Sequence, residues 1–326
     1  MEHIILYAIV PILTVMLLGY YSGKTGAFTG KDAKVLNKVV LNYALPAALF
    51  ISIVKANREM LSVDLKLTII SFVVLIACFF LVYFVFRYMY KDTIAESAVS
   101  ALISGSPTIG FLGFAVLQPI FGDSASVGLV IAIVAIEVNA IGIPIGLALL
   151  NAGNAKTAAA AGGKKPNPWL PVLNAIKEPV AWAPILAVIL VLCGLKWPAY
   201  LDPSFDLIKG ANASVAVFAA GITLSSVKIK INGQAIMGAF LKLIIMPLAV
   251  LIVGIIFKMD PVNLKMLVVS AALPPAFSGI IIASRYNTYV ATGTSSLALS
   301  TILFMGFCPL WLWFTDLCIN WFHLVA

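Results

Sequence analysis

Two hydrophobic stretches of this chain are interrupted by proline, glycine and hydroxyl-bearing residues at matching places, one in each half. Residues 104–110 read Ser-Gly-Ser-Pro-Thr-Ile-Gly, and residues 271–279 read Ala-Ala-Leu-Pro-Pro-Ala-Phe-Ser-Gly. Inside a membrane, helix-breaking residues are tolerated where the freed backbone is enclosed by protein or lines a watery cavity. A matched pair of such breaks is typical of the substrate site of a secondary transporter built from inverted repeats.

The chemistry that these breaks predict is anion binding. A helix that restarts in mid-membrane presents backbone N–H groups without intrahelical acceptors, at the positive end of its dipole. Two such ends could hold a carboxylate even though neither break contains a lysine or an arginine. We therefore expect the substrate-binding residues at the two breaks, namely Ser106, Pro107, Thr108, Gly110, Pro274, Pro275, Ser278 and Gly279.

A carboxyl side chain lies near the middle of a third hydrophobic stretch. Glu137 is followed two residues later by Asn139. An ionised carboxylate costs several kcal/mol inside a membrane, so such residues usually face the protein interior and have a function. Glu137 could exchange a proton during transport, bind a cation, or hold helices together as a neutral acid. We expect Glu137 and Asn139 to couple transport to an ion or to support the site.

The composition predicts an all-α integral membrane protein. Of 326 residues, 62% are hydrophobic and 10% charged, and the mean hydropathy is +1.07, far from the values of soluble domains. About 20 apolar residues cross the hydrocarbon core as a helix. Ten spans are predicted, with the fourth and ninth broken, at residues 3–20, 36–54, 66–86, 97–120, 125–150, 177–195, 206–225, 235–257, 264–284 and 294–319.

These spans fall into two groups of five. Residues 1–150 form the first group, residues 151–173 a flexible cytoplasmic linker rich in alanine, glycine and lysine, and residues 174–326 the second group. Because five is odd, the second group enters the membrane in the opposite sense, which predicts an inverted repeat. Lysines and arginines concentrate in alternate loops, the linker included, so both termini are expected outside.

The remaining patterns exclude several classes of protein. Almost no sequence is left for a soluble domain, and no catalytic set, nucleotide-binding loop or metal-ligand spacing is present. We therefore expect no catalytic residue, no cofactor, no bound metal and no nucleic-acid partner. Lys242 lies about two turns from the end of its span, where a long side chain can reach the surface. Trp311, Trp313 and Trp321 are typical of an interfacial aromatic belt.

Four short motifs in the right order give a resemblance to a known family. They are Leu-Leu-Gly-Tyr-Tyr-Ser-Gly-Lys at 17–24, Ala-Leu-Pro-Ala-Ala-Leu-Phe at 44–50, Lys-Glu-Pro-Val-Ala-Trp-Ala-Pro at 177–184 and Lys-Leu-Ile-Ile-Met-Pro at 242–247. With them the chain resembles the auxin efflux carrier family, and within it the bacterial malonate and organic-acid transporters. In that family the first break usually carries an asparagine, which Thr108 replaces here.

The resemblance implies ten helices, with a scaffold of helices 1, 2, 6 and 7 and a mobile transport domain of helices 3–5 and 8–10. Helices 4 and 9 would cross at the site, and two copies would associate through the scaffold as a homodimer. It also implies a carrier in the inner (plasma) membrane, surrounded by lipid, that moves a small organic anion such as malonate or malate. An elevator-like movement would alternate access, and a proton or a sodium ion could be coupled.

Three alternatives remain open at this point. The first is a sodium-coupled carrier similar to the bile-acid transporters, which share the crossing-helix architecture. The second is a membrane sensor or structural subunit that binds the anion without moving it. The third, an intramembrane enzyme, is disfavoured because the sequence lacks a catalytic set.

Overall fold

A computed structural model describes residues 10–54, 65–160, 179–195, 197–226 and 231–322 of the chain. All regular structure in these ranges is helical. The helices of the first half are α1 (Val10–Lys24), α2 (residues 30–54), α3 (Leu65–Met89), α4 (Ile94–Ser104), α5 (Ile109–Phe121) and α6 (residues 125–160). Those of the second half are α7 (Pro179–Cys193), α8 (Asp202–Ser225), α9 (Gly233–Ile256), α10 (Pro261–Ala272), α11 (Phe277–Tyr286) and α12 (Val290–Trp321).

Six helices in the described ranges are long and apolar enough to cross a membrane. They lie in α2, α3, α6, α8, α9 and α12. Each of the two predicted broken spans consists of two shorter helices, α4 with α5 and α10 with α11. The described ranges therefore have the all-helical structure and the several long apolar helices of an integral membrane protein. The predicted linker begins inside α6, which continues as a helix to Ala160, and residues 161–178 lie outside the described ranges.

Three of the long helices contain a π-helical segment that ends two residues before a proline. These segments are Val40–Ala44 before Pro46, Glu137–Gly142 before Pro144, and Leu241–Ile245 before Pro247. In each case the residue just before the proline donates its N–H to the carbonyl five residues earlier, as Ile143 does to Val138. A proline lacks the N–H that an α-helix needs and clashes with the preceding turn. The widened turn accommodates it without ending the helix.

Short polar residues start the helices that lead into the breaks. The Thr93 hydroxyl accepts from the N–H of Glu96, whose carboxylate accepts from the N–H of Thr93, forming a capping box at the start of α4. The Asp260 carboxylate accepts from the N–H groups of Val262 and Asn263 at the start of α10. Both caps lie at the ends of their helices remote from the breaks. They fix the residue at which each helix begins, and therefore which residues lie at each break.

The helices of the two halves pack against each other in exchanged pairs. α1 lies along α8, and α2 lies along α7. Gly19 and Gly221 allow the first pair to approach closely, because a Cβ at either glycine would collide with the backbone of the other helix. α3 packs on α4 and on α9, while α10 packs on α9 and on α12. One large apolar core runs through these contacts.

The prediction of an interfacial belt was wrong for one of the three tryptophans. Trp313 and Trp321 are exposed, but Trp311 is buried and its indole N–H donates to the Leu243 carbonyl at 2.7 Å. In an α-helix that carbonyl would bond the N–H four residues later, and that residue is Pro247. Trp311 therefore supplies the donor that the proline lacks.

Candidate functional site

The two breaks lie side by side and are hydrogen-bonded to each other. The N–H of Thr108 donates to the Pro274 carbonyl at 2.9 Å, and the N–H of Ala276 donates to the Ser106 carbonyl at 3.0 Å. These reciprocal bonds pair Pro107 with Pro275 in an isolated antiparallel bridge. We call this meeting of residues 106–108 with residues 274–276 the crossing. The matching sequence patterns of the two halves thus meet at one point in space.

The prolines of the crossing leave carbonyl groups that need new donors. Pro107 has no N–H to offer Ile103, four residues earlier, and Ala276 donates to that carbonyl at 3.3 Å instead. Pro275 likewise has none for Ala271, whose carbonyl accepts from the Lys242 ammonium at 2.7 Å. A buried backbone carbonyl without a partner is costly. The breaks are therefore stabilised by donors from distant parts of the chain.

A small cavity lies on one side of the crossing, and we call it the front cavity. The N-terminal ends of α5 and α11 form one part of its wall, α6 another, and α2 closes it with two leucines. No lysine or arginine lines it among the described residues. It is lined by Leu41, Leu45, Pro107, Thr108, Ile109, Gly110, Val138, Asn139, Ala276, Phe277 and Ser278.

A second small cavity, the rear cavity, lies on the other side of Pro107. It is lined by Leu75, Ile76, Phe79, Gly105, Ser106, Pro107, Glu137, Val138, Gly142 and Ile145. Glu137 is buried there and accepts a hydrogen bond from the Ser71 hydroxyl of α3 at 3.4 Å. The π-helical segment of α6 thus presents Glu137 to the rear cavity and Asn139 to the front cavity.

The predicted site residues therefore separate into three groups. Thr108, Gly110, Ser278 and Asn139 line the front cavity, and Ser106 and Glu137 line the rear cavity, with Pro107 between them. Pro275 pairs with Pro107. Pro274 faces an apolar cavity that also contacts α1 and α12, and Gly279 packs where a Cβ would lie 2.7 Å from the Leu102 carbonyl. Pro274, Pro275 and Gly279 therefore line neither the front cavity nor the rear cavity.

Two buried polar atoms beside the front cavity have no hydrogen-bond partner among the residues that the structure describes. One is the hydroxyl oxygen of Thr108, a residue that is 2% exposed, and the other is the side-chain oxygen of Asn212 on α8. The amide nitrogen of Asn212 donates to the Gly110 carbonyl at 3.2 Å. Because buried polar groups are almost always hydrogen-bonded in proteins, the unpartnered Thr108 hydroxyl marks a place where a ligand atom would be favoured.

The expectation that Lys242 reaches the membrane surface was wrong. Its side chain is fully buried, and its ammonium donates to the Ala271 carbonyl and contacts the Met246 sulfur at 3.0 Å. The carbonyl orphaned by Pro275 holds it in the interior. Sequence reasoning also missed Ser71 as the partner of Glu137. The sequence does show that the Ala271 carbonyl needs a donor, because Pro275 lacks the N–H that would bond it. It does not show that Lys242, 29 residues earlier, is that donor.

Comparison with known proteins gives a match over nearly the whole chain. Residues 4–312 match the family described as "Membrane transport protein". The chain is 55% identical over 309 residues to "Uncharacterized transporter YfdV" of Escherichia coli strain K12, covering 95% of this chain and 97% of that protein.

More distant relatives match with similar coverage. The chain is 25% identical over 305 residues to the "Putative malonate transporter" of Rhizobium meliloti strain 1021, covering 90% of this chain and 91% of that protein. It is 22% identical over 312 residues to "Uncharacterized transporter MJ1031" of Methanocaldococcus jannaschii, covering 93% and 96% respectively.

Proposed function

This chain belongs to the membrane transport protein family of auxin efflux carriers, and from that premise we propose that it is a secondary transporter of small organic anions. The observation that carries the proposal is the crossing, which brings two helix N-termini to one cavity. A dicarboxylate such as malonate or malate is the proposed substrate. The name of the Rhizobium relative, "Putative malonate transporter", supports this choice.

The chemistry of the front cavity suits a carboxylate. The first N–H groups of α5, at Ile109 and Gly110, and that of Ser278 in α11 have no acceptor within their own helices. Both helix dipoles add positive potential at the same place. The Thr108 hydroxyl supplies a further donor. In this proposal the anion is bound by neutral donors, so it can be released again on the other side without breaking a direct pair with a lysine or an arginine.

The pairing of helices supports an elevator-like mechanism. In the proposed inverted repeat, α1, α2, α7 and α8 form the scaffold, and the exchanged pairs α1 with α8 and α2 with α7 are what a two-fold relation between the halves requires. The remaining helices form the transport domain. The front cavity lies on the boundary, with Leu41 and Leu45 of α2 on the scaffold side. Movement of the crossing past α2 and α8 would break the bond between Asn212 and Gly110.

Coupling is proposed to act through the rear cavity. Glu137 lies beside Pro107, which also borders the front cavity. A change of charge at the Glu137 carboxyl would therefore alter the electrostatic potential at the backbone that is proposed to bind the anion. Asn139 supports the site from the front. The proposed location is the inner membrane, with both termini outside and two copies associated through the scaffold.

Counterflow in proteoliposomes tests the transport function. Vesicles that contain the purified protein and unlabelled malonate should accumulate labelled malonate from outside, and the same should hold for malate. A membrane sensor would bind these acids, raising the thermal stability of the protein, without accumulating them. Binding without counterflow would therefore contradict the transporter proposal, and the absence of both would contradict the proposed substrate.

A further inference from the structure

Four exposed lysines lie at the end of α1 and in the first turns of α2, and the proposed transport chemistry uses none of them. They are Lys24, the last residue of α1, and Lys31, Lys34 and Lys38 of α2. None of them forms an ion pair with a carboxylate in the ranges that the structure describes. We call these four residues the lysine cluster.

The three lysines of α2 share one side of that helix. Positions 31, 34 and 38 are separated by three and four residues, so their side chains project from the same face. The first and the last are about 10 Å apart along the helix axis. Ala33 and Asn37, on the other side, are buried, and this part of α2 packs on α8. The lysines therefore form a row on the face that is turned away from the protein.

The C-terminal end of α8 brings the lysines of the two helices to one place. A Cβ at Gly23 of α1 would collide with the Ser225 side chain. A Cβ at Gly30 of α2 would lie 3.5 Å from the Ser226 hydroxyl. Each of these glycines is followed directly by a lysine of the cluster. The last turn of α1 and the first turn of α2 thus meet beside the same end of α8.

The charge of the lysine cluster is not balanced locally. Between residues 20 and 40 there are four lysines and one acidic residue, Asp32, which leaves a net charge of +3. The Asp32 carboxylate is already engaged, because it accepts from the backbone N–H and from the hydroxyl of Thr29, each at 2.8 Å. An exposed surface with this excess of positive charge is complementary to an anionic partner.

Exposed apolar and aromatic side chains adjoin the cluster on both helices. Val35 and Val39 of α2 are exposed beside the row of lysines, and Tyr20 and Tyr21 are exposed near the end of α1. The Lys24 ammonium lies over the Tyr20 ring, 5.6 Å from its centroid. Tyrosine and lysine next to exposed apolar residues are typical of the level at which lipid headgroups meet acyl chains. A ligand that carries both a negative charge and hydrocarbon chains would match the whole surface.

We propose that the lysine cluster binds an anionic phospholipid, with the phosphate at the lysines and the acyl chains along the exposed apolar side chains of α1 and α2. The bound lipid holds the ends of these two helices at the level of the headgroups. The bias of lysine toward alternate loops explains why lysines occur at this end of the protein. That bias requires no particular helix face, whereas lipid binding explains the row on one side of α2 beside exposed valines.

Thermal unfolding of the purified full-length protein in a mild detergent tests the lipid site. Phosphatidylglycerol should raise the midpoint, and phosphatidylcholine with the same acyl chains should raise it far less. High salt should remove most of this difference because it screens the lysines. Glycerol phosphate, which carries the charge without acyl chains, should have no effect at the same concentration. Equal stabilisation by the two lipids would overturn the proposal, and so would equal stabilisation by glycerol phosphate.

Two double variants with the same loss of charge provide a controlled comparison. Lys34→Gln with Lys38→Gln should weaken phosphatidylglycerol binding about 30-fold in native mass spectrometry, because each lysine near an anionic lipid contributes about fivefold. Lys66→Gln with Lys258→Gln removes two exposed lysines elsewhere, at the start of α3 and just after α9, and should leave binding unchanged.

Equal weakening in both variants would mean that only the net charge matters and would overturn the proposed site. Unchanged binding in the first variant would overturn it as well. Neither measurement involves transport, so this inference is independent of the proposed function. Lipid binding as predicted, with no counterflow of malonate or malate, would contradict the proposed carrier and leave the lipid site standing.

Discussion

The Thr108 hydroxyl allows stability and binding to be separated by one substitution. It is buried at the crossing, lines the front cavity and has no hydrogen-bond partner in the described part of the chain. An unsatisfied buried polar group costs about 1–3 kcal/mol. Thr108→Val keeps the shape of the side chain and removes the hydroxyl, so the free energy of unfolding should rise by about 1 kcal/mol or more. For a chain of 326 residues that corresponds to a midpoint increase of about 1–2 °C per kcal/mol.

The same substitution should weaken anion binding. A hydrogen bond from a hydroxyl to a charged carboxylate contributes about 1.5–3 kcal/mol. Its loss should raise the Kd of the bound acid roughly 10- to 160-fold. Stability and affinity should therefore change in opposite directions, which a general disturbance of the crossing would not produce.

Thermal shift with and without malonate or malate measures both effects on one sample, and isothermal titration gives the Kd. Thr315 of α12 provides the matched control, because its hydroxyl is also buried, has no partner within the described ranges, and lies outside the cavities that border the crossing. Thr315→Val should raise the midpoint by a similar amount and leave the Kd unchanged. If Thr108→Val binds the acid as tightly as the wild type does, the hydroxyl is not a ligand contact and the reasoning fails.

The other predictions concern coupling, packing and topology. Glu137→Gln should still exchange substrate but lose the acceleration that an imposed proton gradient gives; full gradient-driven uptake would make Glu137 structural. In thermal unfolding, Gly279→Ala should destabilise the protein by about 1–3 kcal/mol, because the added Cβ would lie 2.7 Å from the Leu102 carbonyl. Gly306→Ala is the control, because a Cβ there would have no atom within 4 Å, and it should be tolerated. A cysteine placed at Lys164 should resist membrane-impermeant reagents in intact cells, and labelling there would reverse the proposed orientation.

The positions of the breaks could be predicted from the sequence because their cause is local. Pro107 and the pair Pro274-Pro275 prevent a continuous helix whatever surrounds them. The family was also recognised correctly from four short motifs. That the two breaks are hydrogen-bonded to each other agrees with the expected crossing of the fourth and ninth spans. The inverted repeat as a whole stays a prediction.

The placements of Lys242 and Trp311 could not be predicted because their cause lies elsewhere in the chain. Lys242 was placed by its distance from the end of its span, and Trp311 by its grouping with Trp313 and Trp321 in a predicted aromatic belt. Each is instead held by a carbonyl that a proline has deprived of its donor, Ala271 in one case and Leu243 in the other. The sequence identifies such carbonyls four residues before a proline inside a helix, but which side chain reaches them depends on helix packing. The separation of Ser106 from Thr108 into different cavities depends on packing for the same reason.

The reciprocal bonds of the crossing also bear on how the protein is made. Thr108 and Pro274 are separated by about half the chain, so the ribosome completes the first break long before it synthesises the second. Until then, the N–H of Thr108 and the carbonyls of Ile103 and Ser106 lack their partners from the second half, within a predicted membrane span where water is scarce. The nascent first half must keep this break hydrated or shielded during insertion. The crossing can form only after Ala276 has been synthesised and inserted, when the hydrogen bonds between the two breaks can be made.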